Sequence, residues 1–177
     1  MNLLKILLAI IVLFIASNRV KAQKIPVLSE INCPITQNDL LLSGKLFASA
    51  PPILLRVFNE DSEYAVLQLG KRKSSLYLYF KIFTDNVCVK QEQPLELYFK
   101  NGDTYILKNS FAVNCDGTAV MELTGADIKK LNANTINSIR FYTLKKDYEF
   151  SPSAADNQNL KHYLNCLKVY KIRKKQR

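Results

Sequence analysis

The chain has no tryptophan, one histidine and only five glycines and six prolines in 177 residues. So little glycine and proline excludes a collagen-like or low-complexity chain. The single histidine, His162, leaves little material for a histidine-based metal centre or for a catalytic base beside a cysteine nucleophile. Acidic residues are also scarce, 15 Asp and Glu against 25 Lys and Arg, for a net charge of +10. No glycine-rich phosphate loop, zinc-ligand spacing or serine nucleophile elbow occurs. With 48% hydrophobic residues, what is present suffices for one packed domain.

The N-terminus follows the three-part layout of a secretory signal peptide. Lys5 supplies the positive charge, an unbroken apolar run extends from Ile6 to Ala16, and Val20 and Ala22 are small residues ahead of Gln23. Eleven apolar residues are too few to cross a bilayer, which needs about 20. Cleavage between Ala22 and Gln23 is therefore expected, placing the protein in the periplasm or outside the cell. It would remove Lys5, Arg19 and Lys21 and no acidic residue, lowering the net charge from +10 to +7. No second long apolar run follows, so the mature chain is expected to be soluble and not transmembrane.

Residues 23–52, broken by Pro26, Pro34, Pro51 and Pro52, read as an entry segment with at most one short strand, Leu40 to Phe47. From Ile53 the sequence becomes a series of short segments rich in β-branched and aromatic residues and bounded by turn formers: 53–58, 64–69, 76–84, 95–100, 104–108 and 118–123. Within 76–84, Leu76, Leu78, Phe80 and Ile82 share one apolar face, and Tyr77, Tyr79, Lys81 and Phe83 share an amphipathic one. Thr124 with Asp127 and Ser153 with Asp156 have the form of capping boxes. The first opens a short helix to about Leu131. The second opens a closing helix whose apolar positions Leu160, Tyr163, Leu164, Leu167 and Tyr170 recur at helical spacing. Between them, 136–143 and 147–150 form a hairpin around Leu144, Lys145 and Lys146. The prediction is one α+β domain over 53–170: an antiparallel sheet of about seven to nine strands, a short helix and a packed C-terminal helix, followed by a basic tail at 171–177.

The Asn101-Gly102 pair predicts a two-residue type I′ turn, setting Lys100 opposite Asp103, Tyr98 opposite Tyr105 and Leu97 opposite Ile106. Carried on, that register brings Cys88 opposite Cys115, leaving Cys33 to pair with Cys166. In an exported chain four cysteines favour two such disulfides. His162 lies about 200° around the last helix from Leu160, at 100° per residue, and is expected to face solvent.

Six of the last ten residues are basic: Lys168, Lys171, Arg173, Lys174, Lys175 and Arg177. They form either an anion-binding surface or a solvated terminus that complements the helix dipole. Nucleic acid is not an expected partner, because no recognition module accompanies the charge. Asn59, Glu60, Asp61 and Glu63 lack calcium-loop spacing and read as an acidic turn. Tyr77, Tyr79, Tyr98, Tyr105 and Tyr142 could build an aromatic surface or serve cross-strand packing.

Over Cys88 to Lys168, the pattern of strand, Asn-Gly-Asp turn, Asn114-Cys115-Asp116-Gly117, short helix, Ile139-Arg140-Phe141-Tyr142 and closing Leu164-Asn165-Cys166-Leu167 resembles a group of small exported proteins of Bacteroidota-type bacteria. That resemblance implies an envelope or secreted location and carries no catalytic residues. No catalytic, cofactor-binding or metal-ligating residue is assigned. The leading expectation is a non-enzymatic exported domain that binds an acidic envelope component or a single protein partner. The alternatives are a hydrolase of envelope polymers using carboxylates such as Glu96, Asp116 and Glu122, and an exported inhibitor or immunity-type protein.

Overall fold

A computed structural model of the chain describes residues 32–42, 45–57, 60–84, 87–143 and 146–173. The signal segment with its Ala22–Gln23 junction, the turn at 144–145, and Lys174, Lys175 and Arg177 lie outside the described residues. In chain order the elements are β1 (Thr36–Leu42), β2 (Lys45–Ser49), β3 (Ile53–Val57), β4 (Glu60–Arg72), β5 (Ser75–Phe83), β6 (Pro94–Phe99), β7 (Thr104–Lys108), β8 (Thr118–Leu123), α1 (Gly125–Ala133), β9 (Ile136–Tyr142), β10 (Asp147–Phe150) and α2 (Ala154–Val169). This is the expected α+β class. The entry segment departs from expectation, because it folds into two strands, β1 and β2, and β2 pairs with β4. Alternation within it is irregular, the β1–β2 register slipping between Asn38 and Leu41, so its strand signal is diluted.

Every paired strand is antiparallel, in the order β1-β2-β4-β3-β10-β9-β6-β7, with β5 on β4 and β8 on β5. The branch at β4 follows from its 13-residue length. One edge takes β2 near Gly70–Arg72 and β3 up to Leu67, while the other takes β5. The sheet curls so that the chain after β7 meets β8, where Ser110 N donates to Val120 O at 2.8 Å. The buried Asn109 completes this seam: its Oδ1 accepts from Val120 N at 2.9 Å and its Nδ2 donates to Lys90 O at 2.8 Å.

Leu76, Leu78, Phe80 and Ile82 all face the core, as the period-two pattern requires. Phe80 packs at 5.4 Å from Phe141 and 5.5 Å from Phe150, ring centre to ring centre. Helix α2 adds Leu160, Leu164 and Leu167, each worth roughly 1.5–3 kcal/mol when buried. Both predicted capping boxes form. Asn157, one turn into α2, ties the helix to β9: its Oδ1 accepts from Ile136 N at 2.7 Å and its Nδ2 donates to Ile136 O at 3.0 Å. At the far end, Lys71 points from β4 into the core side, and its ammonium donates to the carbonyls of Leu167, Lys168 and Tyr170 at 2.9, 3.2 and 2.8 Å. Three donors meet three acceptors at the negative end of the helix. Burial pulls the Lys71 amine below its ordinary pKa.

The Asn-Gly hairpin forms in a different register. Leu97 faces Tyr105 and Tyr98 faces Thr104, one residue away from the expected pairing. Gly102 N donates to Phe99 O at 3.0 Å and Gly102 has φ +89°, whereas Asn101 does not take positive φ. The turn is therefore a three-residue loop with glycine in the left-handed position rather than type I′. The physical reason is facing: Leu95, Leu97 and Phe99 are buried on β6, and this register sets Tyr105 and Leu107 beside them while leaving Ile106 51% exposed. The expected register would have turned Ile106 inward.

Cys88 nonetheless bonds to Cys115, and Cys33 to Cys166. A second irregularity restores the alignment. Asn109 O accepts from Glu92 N at 2.9 Å while Asn109 N donates to Gln93 O at 3.0 Å, Glu92 has φ +60°, and the next pair is Val89 with Asn114. The extra residue between Asn109 and Asn114 offsets the slip at the turn.

Candidate surface sites

The face of β3, β4 and β5 turned away from the core carries the even positions of the first two strands and the odd positions of the third. Two cross-strand rows are aligned on it: Leu54, Val66, Lys81 and Arg56, Tyr64, Phe83. Leu54 is 52% exposed, and the stacked pair Tyr64–Phe83, 4.8 Å between ring centres, is 38% and 39% exposed. The Lys81 ammonium stands 5.3 Å over the Phe83 ring. Farther along this face Phe47 meets Tyr79 edge-on at 5.6 Å, and the Arg72 guanidinium lies 4.8 Å over Tyr77. Gly70 makes this possible, because a Cβ there would lie 2.4 Å from the Phe47 ring. Burial raises the pKa of the Tyr79 hydroxyl.

The five tyrosines singled out by sequence do not form one surface. Tyr77 and Tyr79 share the face just described. Tyr105 donates to Asp127 of the α1 capping box at 2.5 Å. Tyr98 and Tyr142 meet on another part of the sheet, both donating to Glu96 Oε2, at 2.6 and 2.8 Å. The hydrogen bond to Glu96 pushes the Tyr98 phenol up to about 12. In the adjoining strands Arg140 donates to Glu149 at 3.0 Å, and that bond lowers the Glu149 pKa. Sequence reasoning missed Leu54, Tyr64 and Phe47, although strand alternation was a sufficient signal for the first two.

The three carboxylates considered for hydrolysis are not gathered. Glu96 is held by the two tyrosines, Asp116 accepts from Thr118 N at 3.1 Å, and Glu122 is exposed on β8 opposite Tyr77. Of the acidic turn, Glu63 pairs with Lys146 at 2.7 Å, while Asn59 and the side chains of Glu60 and Asp61 lie outside the described residues. Among the described residues no group of three or more His, Cys, Asp or Glu side chains could hold a metal ion. His162 is half-buried rather than solvent-facing: its Nε2 lies 3.0 Å from Asn32 O and 3.6 Å from Cys166 Sγ. The Cys33–Cys166 bond lays the entry segment over that side of α2, which helix angles alone could not anticipate.

The basic tail is pinned at its start. Gln37 on β1 hydrogen-bonds both backbone groups of Arg173, leaving Lys168, Lys171 and Arg173 exposed along this stretch. All four cysteines are disulfide-bonded, which fits an oxidising environment. No described helix is long and apolar enough to cross a membrane. No family model, curated protein or solved structure matches this chain.

Proposed function

We propose that this is an exported, non-enzymatic domain of the cell envelope that binds an acidic protein partner through the outer face of β3, β4 and β5. One observation carries the reading: the stacked, exposed Tyr64–Phe83 pair flanked by Leu54, with Arg56 and Lys81 as its charged neighbours. Contiguous exposed apolar side chains on a sheet mark contact surfaces, and aromatic residues with cations at the rim favour a desolvated centre and an acidic counterpart. The apolar N-terminal run and the two disulfides support export.

In-cell crosslinking of tagged protein tests this, with capture compared at low and high salt for the parent, for the double variant Tyr64→Ser/Phe83→Ser, and for a chain ending at Val169. The expected result is one principal captured protein, weakened by salt, lost in the double variant and retained without the tail. Capture that survives the double variant but disappears with the tail would overturn the assignment of the sheet face.

A further inference from the structure

The 21 residues after Asp156 hold seven Lys and Arg and no acidic side chain. Within the described residues the fold fixes this stretch at two points: the Lys71 ammonium donates to Tyr170 O at 2.8 Å, and Gln37 hydrogen-bonds both backbone groups of Arg173. Lys168, Lys171 and Arg173 are thereby gathered beyond the end of α2. All three are exposed, and among the described residues none of them forms an ion pair. The helix dipole does not account for them, because the buried Lys71 already donates to the carbonyls of Leu167, Lys168 and Tyr170. Among these cations sits Val169, 72% exposed, the most exposed large apolar side chain of the described residues.

We propose that this end of the domain docks reversibly on an anionic phospholipid surface, with Val169 below the headgroups and the cations around it, continued in sequence by Lys174, Lys175 and Arg177, paired with lipid phosphates. Basic clusters of this size are held at anionic leaflets by a summed attraction that salt weakens. Val169 is what points to lipid. A phosphate polymer engages the cations and leaves the aliphatic group in water, whereas a bilayer accepts that group while the long Lys and Arg stems reach back to the phosphates. The contact shares no residue with the sheet face, so it stands or falls independently of the protein contact proposed there.

Because the chain has no tryptophan, Val169→Trp places a fluorescent probe at this spot alone. Disulfide-bonded protein recovered after export is mixed with equimolar phosphatidylglycerol–phosphatidylcholine vesicles, with phosphatidylcholine vesicles and with duplex DNA. Its processing at Gln23 is checked by mass, which separates a failure of the export reading from a failure here. With the anionic vesicles alone, the probe is expected to shift to the blue and to be quenched by brominated acyl chains, and about 0.5 M salt should release it. In cosedimentation, Lys171→Gln/Arg173→Gln/Lys174→Gln/Lys175→Gln should bind anionic vesicles about ten-fold more weakly or worse. Val169→Ser should weaken vesicle binding about two- to five-fold and leave DNA binding unchanged. Equal binding to neutral vesicles, sedimentation without a shift of the probe, or vesicle binding unchanged in the quadruple variant would overturn the proposal. So would DNA binding as tight as vesicle binding with Val169→Ser without effect, or no vesicle binding at all.

Discussion

The carboxamide of Gln37 brackets the backbone of Arg173, its Nε2 donating to the carbonyl at 2.8 Å and its Oε1 accepting from the N–H at 2.9 Å. The same two-point pairing joins Asn157 to Ile136, Asn114 to Thr118 and Asn109 to Phe111. A side-chain amide presents the same donor and acceptor as a peptide group, so each of these stands in for a neighbouring strand where the ladder has run out.

Burial separates the members of this set. Asn157→Ala should cost about 2–3 kcal/mol, since it strands both backbone groups of Ile136 inside the protein. Gln37→Ala, at an exposed junction, should cost less than about 1 kcal/mol. Urea unfolding of the two variants against the parent measures the difference. Equal midpoints would refute the argument.

Lys71→Met keeps the aliphatic stem and removes the ammonium, leaving the carbonyls of Leu167, Lys168 and Tyr170 without their donor. A loss of about 2–4 kcal/mol is expected, with early amide exchange confined to the last turn of α2. Uniform exchange across the sheet would argue against a local clamp.

Tyr98 is expected to titrate well above the ordinary phenol range. The fold holds its proton up to about pH 12, whereas the unfolded chain releases it near pH 10, so the native state binds the extra proton between those values. The contribution to stability is complete below pH 10 and is lost as pH rises through 12. Ultraviolet titration should show a late phenolate step that shrinks in Glu96→Gln, as Tyr98 returns toward pH 10. An unchanged titration in that variant would place the cause elsewhere.

The disulfides differ in the length of chain they close, with sequence separations of 133 for Cys33–Cys166 and 27 for Cys88–Cys115. On the chain-entropy account, replacing both members by serine should cost roughly 5 kcal/mol for the first and 3.5 kcal/mol for the second. Thermal unfolding of the two double variants gives the order.

Strand positions from β3 onward, both helices and both capping boxes were legible in the sequence, because periodicity and cap chemistry are local. Features decided by distant residues were not. Asn101-Gly102 suits two turn geometries, and only the burial of Tyr105 and Leu107 beside Leu95 and Leu97 chooses between them. The cysteine pairing emerged correctly from a register that is one residue out, because the extra residue between Asn109 and Asn114 compensates. His162 and the hairpin at 36–49 were misjudged because their cover is supplied by segments more than 20 residues away. Asn109 and Asn157 carry no signal of their burial in the sequence, since nothing local distinguishes an amide that will be buried from one that will not. Of the sheet face, Lys81 and Phe83 were readable by alternation, whereas the Tyr64–Phe83 stack required the β4–β5 register.

The Cys33–Cys166 bond encloses every described strand and nearly all of α2 in a covalent ring. Tension applied to the two ends of the polypeptide therefore runs along this cross-link and bypasses the sheet, so the domain is shielded from mechanical load along the chain. Pulled from its ends in an optical trap, the oxidised protein should show no unfolding step, and the step should appear once the bond is reduced. A protein tethered at one end and gripped at the other would keep its sheet intact under strain.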